Sequence, residues 1–250
     1  FVAMSGGVDS SVAAALLKKQ GFRVVGVFMK PWQPELPRKP FDKTQGDHLS
    51  RCMWKDDRED AMRAAAVLEI PLLTWDFSKE YKKEVTDYMI REYRTGRTPN
   101  PDVMCNKHIK FGLFLKKALR EGADFIATGH YVRKAEVKSS SSYKVTKHKK
   151  MIPKKLYEPD KLYKLLTAVD KNKDQSYFLW TLTQKQLKYC LFPIGDYIKP
   201  EVRKLAKKFG LPNHDKKDSQ GVCFIGPLDM KDFLKNYIKP KRGLILALDQ

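Results

Sequence analysis

Cysteine is scarce in this 250-residue chain: Cys52, Cys105, Cys190 and Cys223 are the only four, and they lie far apart. That spacing offers neither a disulfide framework nor a CxxC metal site, and it points to a reducing, cytosol-like compartment. Long apolar runs are missing as well; none approaches the ~20 residues of a membrane span. No secretory signal is visible, and Phe1 opens inside an apolar strand, so the natural N-terminus is expected upstream. Acidic residues are in deficit, with 29 Asp+Glu against 49 Lys+Arg and a formal net charge of +20. An enzyme of a small anion has little use for such a surplus, whereas a polyanionic partner would exploit it. A merely solubilising surface is the plainer alternative.

What is present is concentrated first in Phe1 to Ser11, FVAMSGGVDSS. Phe1 to Met4 reads as a buried strand, Ser5, Gly6 and Gly7 as a tight turn, and Val8 to Gln20 as a helix. A strand feeding such a turn aims backbone N–H groups and a positive dipole end at one point, which suits a phosphate. Gly6 and Gly7 let the main chain approach the anion. Ser5, Ser10 and Ser11 can donate hydroxyl hydrogen bonds, and Asp9 could hold a magnesium ion bridging phosphates. The stretch matches neither Gly-x4-Gly-Lys-Ser/Thr nor Gly-x-Gly-x-x-Gly.

Further along, apolar patterning predicts strands at Phe22 to Met29, Ile70 to Trp75 and Asp124 to Thr128. Helices are predicted over Asp56 to Leu68, from an N-cap at Ser78, and around Lys107 to Arg120. The prolines and glycine of Arg94 to Asn106 predict a loop throughout. The order β-α-β-α-β-α-loop-α-β argues an α/β fold with a doubly wound parallel sheet, with function at the C-terminal edge of the strands. From Lys134 to Lys164 ten lysines, three acids and four consecutive serines predict an exposed insertion with little periodicity. Order returns at Lys173, with a helix at Thr183 to Tyr189 that ends near Cys190. A turn at Phe192 to Gly195 suggests a boundary between residues 1–192 and 193–250. A basic amphipathic helix at Pro200 to Phe209 follows, then a loop at Asp218 to Gly226, a helix at Leu228 to Tyr237 and an apolar strand at Gly243 to Leu248.

A lone cysteine is more often a small buried hydrophobe than a nucleophile. Cys105, however, follows a Pro-Asn-Pro stretch and precedes a helix, a place where the dipole and the cations Arg94, Arg97, Lys107 and Lys110 would lower a thiol pKa. Asp102 is near enough in sequence to act as acid or base. Cys223 also sits in a Gly-flanked loop. Two loop cysteines beside a loop suited to a phosphate suggest activation of an oxygen followed by attack of sulfur.

Ser5-Gly-Gly-Val-Asp-Ser10 resembles the pyrophosphate loop of N-type ATP pyrophosphatases. With Phe28-Met-Lys30, Gly96-Arg-Thr-Pro-Asn-Pro-Asp102, Cys105-Asn106, Ala127-Thr-Gly-His-Tyr131, Lys173-Asp-Gln-Ser-Tyr-Phe178 and Asp218-Ser-Gln-Gly-Val-Cys-Phe-Ile225, the chain is similar to the tRNA-specific 2-thiouridylases. The resemblance implies a Rossmann-like nucleotide domain, a small second domain and a truncated C-terminal β-barrel. It implies that Ala3, Met4, Ser5, Gly6, Gly7, Val8, Asp9, Ser10, Met29 and Gly129 contact ATP. It implies that Asn100, Pro101 and Asp102 meet the target base and that His130, Lys173, Asp174 and Gln175 lie on the tRNA. Cys105 would be the nucleophile and Cys223 the bearer of a persulfide.

The expected reaction is adenylation of the wobble uridine of a tRNA anticodon stem-loop by ATP with Mg2+, then sulfur transfer to C2. The sulfur would come from a cysteine desulfurase or relay protein. A monomer in the cytoplasm, or in mitochondria of a eukaryote, fits this reading. Cys52, Cys105 and Cys223 could instead ligate an iron–sulfur cluster, although no close-spaced pair anchors one. A pyrophosphatase ligating a small molecule, or a non-catalytic RNA-binding protein, are the rival functions. The first has no need of Cys105, Cys223 or the basic surface, and the second leaves the intact Ser5 to Ser10 loop without a purpose.

Overall fold

The computed structural model describes residues 1–33, 53–137, 161–218 and 230–239. Five short strands form one parallel sheet: β1 (Val2–Ala3), β2 (Gly26–Lys30), β3 (Leu72–Asp76), β4 (Ile126–Ala127) and β7 (Cys190–Leu191). Their order is β3-β2-β1-β4-β7, every neighbouring pair parallel. The chain winds outward from β1 through β2 to β3 and then returns to the other side for β4 and β7. The switch in direction therefore lies between β1 and β4, the crevice where open α/β sheets bind ligands.

Alternation along the strands feeds two cores. Val2, Met4 and Phe28 pack on one face with α1 (Val8–Lys19), with α2 (Met53–Val67) through Ala61, Ala64 and Ala65, and with α8 (Lys199–Lys208) through Val202 and Ala206. Ala3, Val27, Met29 and Ile126 face the other way, against Tyr81, Val85, Phe111 and Phe114. Those residues come from two long helical stretches. The first runs through α3 (Ser78–Tyr81), a π-helical segment Lys82–Thr86 and α4 (Asp87–Arg94). The second runs through α5 (Pro101–Met104), a π-helical segment Cys105–Phe114 and α6 (Leu115–Arg120). Gly112 suits the wider winding, since a Cβ there would come within 2.9 Å of the Lys107 carbonyl oxygen. Helices cover both faces, as the order of elements predicts.

Several local expectations change. The stretch 94–106 is a loop only as far as Asn100. Pro101 starts α5, because a first-turn proline gives up an N–H that has no partner within the helix. The Asn100 side chain caps it, accepting from Val103 N at 3.1 Å. At the start of α3 the capping acceptor is Asp76 Oδ1, which takes both Ser78 N (2.9 Å) and Ser78 Oγ (2.6 Å).

The ends of the lysine-rich segment are ordered: β5 (Val132–Val137) and β6 (Leu162–Thr167) pair antiparallel. Lys134 is drawn inward, donating to the Leu187 carbonyl at 3.1 Å and lying 4.6 Å from the Tyr163 ring centre, and burial lowers its pKa to about 8. Charge counting had placed this lysine on an exposed arm, but its methylene stem packs as an apolar group. Residues 138–160, with the serine run, lie outside the described residues.

Cys190, expected at a helix end, lies on β7 beyond α7 (Gln184–Leu187). There burial pushes its thiol up to about 12, and it donates to the Gln186 carbonyl at 3.1 Å. A last helix, α9 (Met230–Lys235), packs Phe233 against Met89 and Ile90. The expected strand at Gly243 to Leu248 is outside the described residues. Among those described, no helix is long and apolar enough to cross a membrane.

Candidate active site

Three segments meet at the C-terminal edge of the sheet. The first is the loop after β1. Gly6 has φ +80°, and a Cβ there would run into the Asp57 carbonyl oxygen, so glycine alone closes this turn. Gly7 caps α1 without a side-chain acceptor, leaving the positive helix end uncovered by any side-chain cap. Ser10 and Ser11 both donate their hydroxyls to the Gly7 carbonyl, at 3.1 and 3.0 Å, and Ser5 N donates to Ser10 Oγ at 3.2 Å. All three hydroxyls expected to face a phosphate therefore bond within the loop, Ser5 Oγ lying 3.3 Å from Ser10 Oγ and accepting from Gly7 N at 3.4 Å, and Ser5 is the exposed one. Ala3, Met4 and Val8 are buried, so they can offer a ligand only main-chain groups, and Met29 is buried at the end of β2.

The second segment follows β4. A Cβ on Gly129 would lie 2.7 Å from Ser10 N and 2.8 Å from Asp9 C, so glycine permits the two loops to touch. His130 is buried, sharing a 2.7 Å hydrogen bond between Nδ1 and Thr128 Oγ1, with Lys110 Nζ 3.5 Å from Nε2. Burial, and then the Lys110 charge, hold this imidazole well below its ordinary range, so it is neutral at physiological pH. The Tyr131 hydroxyl donates to Asp9 Oδ1 at 2.9 Å; burial, then the Asp9 charge, raise its pKa and keep it a donor.

The third segment was not legible as part of a site. Lys199, at the start of α8, places Nζ 2.8 and 2.9 Å from the two Asp9 oxygens and 2.7 Å from Asp218 Oδ1. Its backbone N–H donates to Asp170 Oδ2 at 2.8 Å. Asp218 also takes Lys173 Nζ at 2.6 Å and Arg203 Nη2 at 3.0 Å. Asn213 Nδ2 donates to the Gly6 carbonyl (2.9 Å) and to Ser11 Oγ (3.0 Å). Nothing in the local pattern around Lys199 or Asn213 distinguishes them from solvated residues of a basic helix and its exit loop.

Burial alone would raise the Asp218 carboxyl, but hydrogen bonds from Lys173 and Lys199 outweigh it and hold the group at about 2. A depressed carboxylate stabilises the fold above the ordinary carboxylate pKa and loses that contribution as pH falls from about 4 toward 2. With solvent screening the contribution is on the order of 1 kcal/mol. Asp218→Asn should therefore melt below the parent protein at neutral pH. The two melting curves should converge in acid; a pH-independent gap would contradict the carboxylate's role.

Cys105 is wholly buried, in the same apolar cluster as Phe111, Phe114 and Leu179. It sits one turn inside the helix, with Asn100 at the cap, so the dipole end expected beside it lies nearer Asp102. Of the flanking cations, Arg97 pairs with Glu92 at 2.6 Å, and Arg94 donates to the Tyr237 carbonyl at 3.1 Å. Asn106, the next residue, reaches the Phe178 carbonyl at 3.5 Å. Lys173, Asp174 and Gln175 are engaged within the protein. Asp174 accepts from Ala168 N at 2.7 Å, and Gln175 brackets the Tyr131 backbone with bonds of 3.0 and 2.9 Å. Among the described residues no group of three His, Cys, Asp or Glu could hold a metal ion. Cys52 and Cys223 lie outside the described residues, and with them the expected persulfide position and two ligands of the alternative cluster.

A family model described as the tRNA methyl transferase HUP domain matches residues 1–227. The tRNA-specific 2-thiouridylase MnmA of Christiangramia forsetii is 49% identical over 99% of this chain and 56% of its own length. Those of Flavobacterium johnsoniae and Nitrosomonas europaea are 45% and 46% identical over 100% and 99% of this chain. The chain thus spans somewhat over half the length of these curated relatives, 56% and 59% for the latter two. A solved NMN synthetase from Francisella tularensis covers 92% of this chain and 69% of its own at 13% identity and a TM-score of 0.46, a likeness too weak to add to the fold described above. With a matched family model running from β1 past Asp218, the chain belongs to the tRNA methyl transferase HUP domain family.

Proposed function

We propose that this chain carries the nucleotide- and sulfur-handling part of a tRNA-specific 2-thiouridylase. One observation carries the reading: the loop after β4 joins the nucleotide loop to the Cys105 helix, through Gly129 on Asp9 and Ser10 and His130 beside Lys110. ATP would adenylate O2 of the wobble uridine, because a carbonyl oxygen is no leaving group by itself. The N–H groups at the start of α1, Ser5 and Lys199 would hold the phosphates. The terminal sulfur of a Cys223 persulfide then forms a bond to C2, and O2 departs with AMP. The Cys105 thiolate attacks the Cys223 sulfur and the electron pair of the S–S bond leaves with the product sulfur, giving 2-thiouridine and a Cys105–Cys223 disulfide for an external reductant. Release of hydrosulfide by Cys105 before attack on C2 is the alternative order.

Lys199 already lies against both Asp9 oxygens, so the residues do not fit a magnesium ion ligated directly by Asp9. Magnesium, in this reading, travels with the nucleotide phosphates. Asn100, Pro101 and Asp102 would meet the base, with Asp102 as acid or base. His130, Lys173, Asp174 and Gln175 would act on tRNA by setting the shape of the loops that touch it. Residues 1–192 would form the ATP pyrophosphatase unit, and residues 193–250 a tRNA-binding linker leading into a β-barrel, docked through α8. A cysteine desulfurase or relay protein as sulfur donor, a monomeric state and a cytoplasmic or mitochondrial location complete the proposal.

The test is release of labelled AMP and pyrophosphate by the full-length protein with and without tRNA. Release that depends on tRNA is expected. Equal release without tRNA would overturn the reading in favour of a small-molecule ligase.

A further inference from the structure

We propose that Tyr177 and Trp180 form a stacking platform for unpaired bases beside the target uridine, an assignment that rests on the function just proposed. Large aromatic side chains are normally covered, yet Tyr177 is 61% and Trp180 72% exposed. They flank Leu179, which is fully buried in the same cluster as Cys105 and pins the short turn between them to the core. The turn is held from several sides. Phe178 N donates to the Gln175 carbonyl at 3.1 Å and Leu179 N to the Ser176 carbonyl at 3.0 Å, while Ser176 Oγ donates to Asp174 Oδ2 at 2.6 Å. The Tyr177 and Phe178 ring centres are 4.0 Å apart, so the two rings brace each other.

The position of the turn selects the occupant. Asn106, adjacent to Cys105, donates to the Phe178 carbonyl, so the aromatics border the helix that carries the candidate nucleophile. Lys107, which follows Asn106, is exposed, as are Lys171 and Lys185 on either side of the turn in sequence. Exposed rings on a hydrogen-bonded turn, with exposed lysines on the neighbouring stretches of chain, suit single-stranded RNA, whose bases stack on any π-face while phosphates meet lysines. A base drawn out of a loop stack also leaves neighbours in need of new stacking partners. The platform would supply those partners.

The probe is a short RNA hairpin with an unpaired loop, carrying 2-aminopurine beside the target uridine and titrated into the full-length protein. Binding by the parent protein should quench the fluorophore. Tyr177→Ala with Trp180→Ala should weaken binding by at least the roughly 5- to 150-fold set by one stacked base, and remove the quench. Because no phosphate contact is lost, the dependence of binding on salt should keep its slope. Tyr177→Phe and Trp180→Phe should retain affinity and quench. The platform is overturned if the double alanine variant, with an unchanged melting temperature, binds and quenches normally, including when the change instead dissociates a protein complex. If the parent protein releases AMP without tRNA, the proposed function falls; if it needs tRNA and the double variant behaves as the parent, only the platform falls.

Discussion

Asp9→Ala is expected to reduce tRNA-dependent AMP formation by ~10²-fold or more, the scale of losing a preorganised charge at a developing phosphate transition state. Asp9 fixes two donors that come from distant elements: the Lys199 ammonium and the Tyr131 hydroxyl. Without its carboxylate, Lys199 is held by Asp218 alone and is drawn toward it, away from the helix end. The stability loss should be modest, ~1–3 kcal/mol, because Lys199 keeps one ionic partner. Labelled-AMP release and thermal melting on one preparation separate the effects. Ordinary release by a folded Asp9→Ala protein would remove the reading of this loop as a nucleotide site.

Cys105→Ala should have a comparable effect on a different product. Formation of 2-thiouridine should drop on the order of 10³-fold or more, as when a nucleophile is removed, while tRNA-dependent AMP release continues. Alanine suits the site, since Cys105 lies among apolar side chains that tolerate a small residue better than a new hydroxyl. Cys190→Ala is the control: its thiol, pushed up to about 12 and bonded to the Gln186 carbonyl, has no thiolate to offer at neutral pH. In a single turnover with persulfide-loaded protein, a Cys105–Cys223 disulfide should appear in step with 2-thiouridine. Full thiolation by Cys105→Ala would sink the scheme.

The sheet was legible because its strands are short apolar runs separated by helical spacing, and the turn after β1 because Gly6 and Gly7 stand between such a run and a helix. Proline misled at 101, where the rule against helix applies to interiors and not to the first turn. Lysine misled at 134, where a long side chain turns its stem inward. β7 was missed because two ladder residues, Cys190 and Leu191, give no period to read. Lys199, Asp170 and Asn213 were missed for a deeper reason: their roles come from chain segments far away, and a solvated lysine and a buried ion-paired one look alike in sequence.

Asn213 gives the assembly of the protein an order in time. Its bonds to Gly6 and Ser11 span 207 and 202 residues, and the Lys199–Asp9 pair spans 190. On a ribosome adding about 5–20 residues per second, residue 213 is made roughly 10–40 s after Gly6. Contacts this distant in sequence are also slow to close, since loop entropy is spent before they reward it. This loop is therefore made early and completed late, and a nascent chain that has only reached α6 lacks both Lys199 and Asn213. The folding step that completes the proposed nucleotide pocket is also the step that seats the exit of α8 against it. Refolding followed by nucleotide protection should accordingly lag behind the return of sheet and helix signals.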